Sequence, residues 1–113
     1  MLAQANRVTR PDDFRQAVRR GRRASTASTV LYALSTENDR AGRFGFIVAK
    51  SAGGAVVRNR IRRRLRAASF ELLDTVPAGT DIVVRGLAGT DALAWDALVA
   101  DLRNGIRSTM VSA

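Results

Sequence analysis

The residues with the most legible chemistry crowd into one stretch, "KSAGGAVVRNRIRRRLR", residues 50–66. Six of its last nine residues are arginine. Lys50, Arg58, Asn59, Arg60, Arg62, Arg63 and Arg66 are the candidate binding residues. Their chemistry is anion capture. A guanidinium presents a planar fork that takes phosphate oxygens two at a time and stacks on flat rings. Asn59 adds a donor and an acceptor, although an asparagine also serves as a plain helix cap. Covalent catalysis has no such support. The chain has no histidine and no cysteine. It therefore lacks the commonest general base, the commonest metal ligand and any thiolate site. Its serines and threonines have no histidine base, and its carboxylates are scattered. No catalytic residue and no metal site is expected in the protein itself.

The charge is lopsided. The 113 residues carry a net +9, and 18 of the 19 basic side chains are arginine, Lys50 being the exception. Residues 1–66 hold 16 basic and 4 acidic side chains, whereas residues 67–113 hold 3 and 6. Such an imbalance calls for a polyanion, either a nucleic acid or an anionic membrane. No apolar run reaches the roughly 20 residues that span a bilayer. The opening "MLAQANRVTRPDDF" has no apolar signal-peptide core. The expectation is one cytoplasmic domain, residues 1–113, with no membrane association.

Periodicity places these residues on elements. Pro11 followed by Asp12 and Asp13 starts a helix over about 11–20, with Phe14, Ala17 and Val18 on one face and Gly21 as its stop. Residues 24–35 read as one or two strands, 36–42 as a polar turn and 43–50 as a clear strand. From about Ala55 to Asp74 the pattern is helical, with Val57, Ile61, Leu65, Ala68 and Leu72 in one stripe. Pro77 and Gly79 break it, residues 81–88 form another strand, and Thr90 with Asp91 opens a last helix that fades near Gly105. The tail from about 106 is expected to fray. The order is helix, strands, helix, strand, helix: a two-layer α/β (α+β) sandwich on a small, mostly antiparallel sheet.

The second helix is arranged against its own stability. Arginine pairs fall at 58/62, 60/64, 62/66 and 63/66, each costing roughly 0.2–0.5 kcal/mol on an isolated helix. No acid relieves them before Glu71. A solvated face would mix signs to gain support, so an external anion is the better account. A membrane-surface or calmodulin-type helix needs a broader, bulkier apolar face than this narrow stripe. A helix reading duplex DNA should present more varied side chains. Gly53 and Gly54 before the helix let backbone amides approach an anion, but the lysine and hydroxyl ending of a nucleotide loop is missing.

At these residues the sequence resembles a family. "GRFGFIVAKSAGGAVVRNRIRRRLRAA" (42–68) is similar to the central motif of the bacterial ribonuclease P protein component, with Arg58-Asn59-Arg60 as its RNR element. "NRVTRPDDFRQAVRRGRR" (6–23) resembles the opening helix, and 31–34 and 81–87 resemble strands. The resemblance implies a protein that joins a catalytic RNA and promotes removal of the 5′ leader from precursor tRNA. It also implies that the RNA carries the chemistry with bound Mg²⁺, which the protein alone does not require. No obligate protein partner is evident in the sequence. The resemblance adds a left-handed βαβ crossover, against the usual hand. It further implies a leader cleft lined by Phe14, Val18, Tyr32 and Phe46 or its alternating neighbours, with Arg7, Arg10, Arg15 and Arg19 as secondary basic contacts. Aromatic floors with basic edges suit single strands, since every base has a face to stack. By helical spacing alone, Phe14 reads better as a core residue, and only the resemblance places it in a cleft. The chain departs from the family pattern at Val18, Ser51 and Gly54, where an aromatic, a lysine and an asparagine are usual. The competing class is a ribosomal or general RNA-binding protein, which would need the arginine helix but not the aromatic cleft.

Overall fold

A computed structural model describes residues 2–36 and 39–110. Within them lie three α-helices and four strands: α1 Pro11–Arg20, β1 Arg22–Ser25, β2 Thr29–Ser35, β3 Arg43–Val48, α2 Ala55–Glu71, β4 Thr80–Gly86 and α3 Trp95–Met110. The strands form one sheet in the order β1-β2-β4-β3. β1/β2 and β2/β4 are antiparallel, while β3/β4 is parallel and joined through α2. The expected α/β order and mostly antiparallel sheet are therefore present. Part of the 36–42 turn falls outside the described residues.

Alternation along the strands gives the sheet two unlike faces. Leu31, Phe44, Ile82 and Val84 point to the face covered by α2 and α3, where they bury with Ile61, Leu65, Leu98 and Leu102. The α2 stripe docks there as its spacing predicts, with Ile61, Leu65, Ala68 and Leu72 buried and Val57 half-buried. The other face carries α1. Ala17, Val8, Val30 and Val83 are buried but do not belong to the main core cluster. Here Gly45 permits close approach: a Cβ on it would lie 2.6 Å from Cε1 of Phe14.

The last helix differs from expectation at both ends. Thr90 and Asp91 do not begin it; residues Thr90–Ala92 form a separate 3₁₀ turn, and α3 starts at Trp95. The physical reason is competition for backbone groups. The buried Thr90 hydroxyl bonds the carbonyls of Ser28 (3.0 Å) and Leu87 (2.8 Å). The Arg64 guanidinium takes the carbonyls of Thr90 and Leu93. At its far end, α3 runs through Gly105 to Met110, with Ile106 and Thr109 buried, so the helix does not fade near Gly105 as expected; the rest of the expected frayed tail, residues 111–113, lies outside the described residues. Gly105 is a contact rather than a stop. A Cβ there would sit 2.5 Å from Cδ1 of Leu31.

The amino-terminal segment also does structural work. Leu2 is buried in the main core. Val8 donates its N–H to the Phe44 carbonyl at 2.8 Å, and Arg7 bridges to Phe44 in parallel sense along the outer edge of β3. Among the described residues no helix is long and apolar enough to cross a membrane.

Candidate nucleic-acid interface

α2 begins without help. Its N-cap is Gly54, with no side-chain cap, and its first turn holds no acid. Docking of the apolar stripe is what compensates. Burying side chains such as Ile61 and Leu65 contributes about 1.5–3 kcal/mol each, well above the cost of each arginine pair.

The six arginines of this helix divide by role. Arg64 turns inward. Its two terminal nitrogens donate to the Thr90 and Leu93 carbonyls, and its carbon lies 5.8 Å from the Trp95 ring centroid. Trp95 in turn donates Nε1–H to Glu71 at 3.1 Å. The other five, Arg58, Arg60, Arg62, Arg63 and Arg66, make no ion pair with a carboxylate among the described residues. Arg62 donates to Oδ1 of Asn59 at 3.2 Å, so Asn59 partners an arginine within the helix and does not cap it. Arg66 has its Nε buried with no acceptor. Asn59, Arg62, Arg63 and Arg66 line one shallow groove of about 450 Å³. Lys50 is exposed in the 3₁₀ turn that precedes the helix.

Arg62 and Arg66 also border a neighbouring groove with Phe14, Phe46, Arg7 and Thr9. The structure thus brings Phe14 and Phe46 together with three arginines, Arg7, Arg62 and Arg66, at the outer edge of β3. Phe14 is half-buried: it packs over Gly45 and still lines a groove. Tyr32 stands elsewhere. It pairs with Val83, which pairs with Gly45, so these three share the α1 face. Phe46 pairs with Val84 and points to the opposite, α2 face, its ring parallel to Phe44 at 6.3 Å. On β3, Gly45 and Ile47 are therefore the residues on Tyr32's face, which corrects the placement of Phe46 beside Tyr32. Val18 is 40% exposed on α1.

The secondary basic residues separate as well. Arg7 holds the Leu2 carbonyl through Nε (3.1 Å) and a terminal nitrogen (2.8 Å), a tie that secures the amino-terminal segment. Arg15 pairs with Asp12 on the exposed face of α1, worth at most about 1 kcal/mol. Arg10 and Arg19 are exposed.

Sequence patterning missed two further charged features. Arg43 grips buried Asp81 with both arms of its fork, at 2.8 and 2.7 Å, and reaches Asp13 of α1 at 3.2 Å. Hydrogen bonding to Asp81 raises the Arg43 pKa against the opposing effect of burial, and the two carboxylate charges add to it. Arg40 completes the cluster at 3.2 Å from Asp81. This pins the start of α1 to the sheet. Asp101 of α3 accepts from the Ser28 backbone N–H at 3.0 Å and from the Ser28 hydroxyl. Burial pushes its pKa up, but hydrogen bonds from Ser28, Thr26 and the Ala27 amide outweigh that and leave it lowered.

Comparison with known proteins agrees across the chain. Residues 2–110 match the family described as Ribonuclease P. The "Ribonuclease P protein component" of Clavibacter michiganensis subsp. michiganensis is 49% identical over 106 residues, spanning 94% of this chain and 94% of that protein. The protein of the same description from Arthrobacter sp. is 44% identical over 110 residues, or 97% and 81%. The solved RNase P protein of Staphylococcus aureus superposes with a TM-score of 0.79 at 25% identity, covering 96% of this chain and 98% of that one. That of Thermotoga maritima gives 0.79 at 21%, covering 95% and 98%, a likeness of fold.

Proposed function

The chain belongs to the family of ribonuclease P protein components, and from that premise we propose that it binds a catalytic RNA subunit and the 5′ leader of precursor tRNA. In this assignment the endonucleolytic step that frees the leader is performed by the RNA, and the Mg²⁺ that serves that step is held there. The protein contributes affinity and alignment.

The observation that carries the assignment is the face of α2. Five arginines and Lys50 stand without carboxylate partners among the described residues, and one of those arginines has a buried nitrogen that lacks an acceptor. RNA phosphates supply acceptors to the guanidinium nitrogens that reach solvent, and their neutralisation releases counterions. Phe14 and Phe46 beside Arg62 offer flat apolar surface at the margin of this patch, and Tyr32 offers a second aromatic surface on the α1 face. Both suit stacking of unpaired bases at about 1–3 kcal/mol each.

The test is cleavage of precursor tRNA by a bacterial ribonuclease P RNA at low Mg²⁺, with and without the protein. Stimulated leader removal is expected. Tight RNA binding without stimulation would point instead to a general RNA-binding or ribosomal role.

A further inference from the structure

The register of the sheet surrounds Tyr32 with charge. On the face that carries α1, Arg23 of β1 is directly opposite Tyr32 of β2. Tyr32 is opposite Val83 of β4, and Val30 is opposite Arg85. Arg85 is flanked on its other side by Ile47 of β3. Arg85 is therefore the diagonal neighbour of Tyr32 across the β2/β4 pair. Such diagonal pairs stand roughly 7–8 Å apart, within reach of aromatic and long side chains. Arg23 and Arg85 bracket the tyrosine from the two adjacent strands.

Arg85 is a poor structural residue where it stands. β4 is an interior strand, and Arg85 is its one exposed residue, the other six being buried. Val30 and Ile47 beside it are apolar, and no carboxylate among the described residues pairs with it. A β-branched side chain would fit this pleated, half-covered surface better. An arginine lays its stem on such neighbours and holds its charged head in water, where it is free to meet a ligand. Arg23 is likewise exposed and without a carboxylate partner among the described residues.

We propose that Arg23 and Arg85 form a phosphate clamp around Tyr32, an inference that rests on the leader-binding role above. One base of the single strand stacks on Tyr32, and the two guanidinium forks take the phosphates to either side of it. The strand then crosses the sheet from β4 toward β1, leading away from β3 and the grooves that the α2 arginines line.

Equilibrium binding to the holoenzyme reconstituted with a bacterial ribonuclease P RNA tests this. The probes are precursor tRNA with a several-nucleotide leader and the same tRNA without one, measured over a range of salt. The proteins are wild type, Arg23→Ala, Arg85→Ala and Arg85→Lys. Each alanine variant should lose about tenfold in affinity for the leader-bearing probe alone, the scale of one charge-assisted contact. Its log–log salt slope should become shallower by about 0.7, one phosphate of a single strand. Arg85→Lys should keep the slope, because it keeps the charge. Variants that retain the wild-type leader preference would overturn the clamp while leaving the leader-binding role intact. Equal losses on both probes would also overturn it, by moving the contact to the tRNA body or the RNA subunit. A wild type with no leader preference would remove the role itself.

Discussion

Adjacent arginines on one helix carry different duties, and geometry separates them. Arg64 spends its fork on two backbone carbonyls and its face on Trp95. Arg64→Ala leaves those carbonyls without their donor and should cost about 2 kcal/mol. At roughly 4–8 °C per kcal/mol for a domain of this size, a thermal melt should fall by about 10 °C. Arg64→Lys should not rescue it, because a single ammonium cannot reproduce a planar fork. Arg58 and Arg60 should behave in the opposite way. The double alanine variant should melt within a few degrees of wild type yet bind the RNA subunit more weakly. Its log–log salt slope should be shallower by about 0.7–0.9 per lost contact. A collapse of the melting transition in this variant would assign the pair a structural role.

Among the elements, α3 shows how contact overrides local preference. Glycine is the weakest ordinary helix former, by about 1 kcal/mol against alanine, and read locally Gly105 ends the helix. It persists because the helix lies flush on fully buried Leu31. Gly105→Ala should therefore destabilise the protein by about 1–3 kcal/mol through overpacking, despite its better propensity; a urea midpoint above wild type would refute the flush contact. The same helix is tied to the β1–β2 turn through Asp101. The Asp101 pKa is lowered in the folded state, so the unfolded chain takes up its proton first as pH falls. Its contribution is complete above the ordinary carboxylate range, about 3.9, and is lost as pH falls through the lower folded value. Asp101→Asn should narrow the gap in stability between neutral and strongly acid pH, measured by denaturant titration at each pH.

Over the whole molecule, charge and chain ends set the conditions for stability. The net +9 is unbalanced within the fold, and self-repulsion of that kind is relieved by a bound anion. A short single-stranded RNA should raise the melting temperature of the free protein by mass action on the native state. High salt should abolish the rise. The amino-terminal segment closes the fold: Leu2 sits in the core, and residues 7–8 run along the outer edge of β3. Leu2→Ala should cost about 2–5 kcal/mol, an effect a thermal melt would register.

Residue types and their local spacing determined much on their own. The absence of histidine and cysteine, the arginine run and the stripe of Ile61, Leu65, Ala68 and Leu72 were legible because each depends only on composition or on a 3.6-residue repeat. So was α1, whose proline, first-turn acids and closing glycine are local signals. What depends on a distant partner was not legible. Nothing near Thr90 says that Arg64 will take its carbonyl, and nothing near Gly105 says that Leu31 lies beneath it. Nothing near Phe46 fixes which face of the sheet it joins. Strand pairing decides that, since a shift of one residue moves every side chain to the other face. The same register set Arg23 and Arg85 around Tyr32, from strands far apart in the sequence, because only hydrogen bonding across the sheet brings them together.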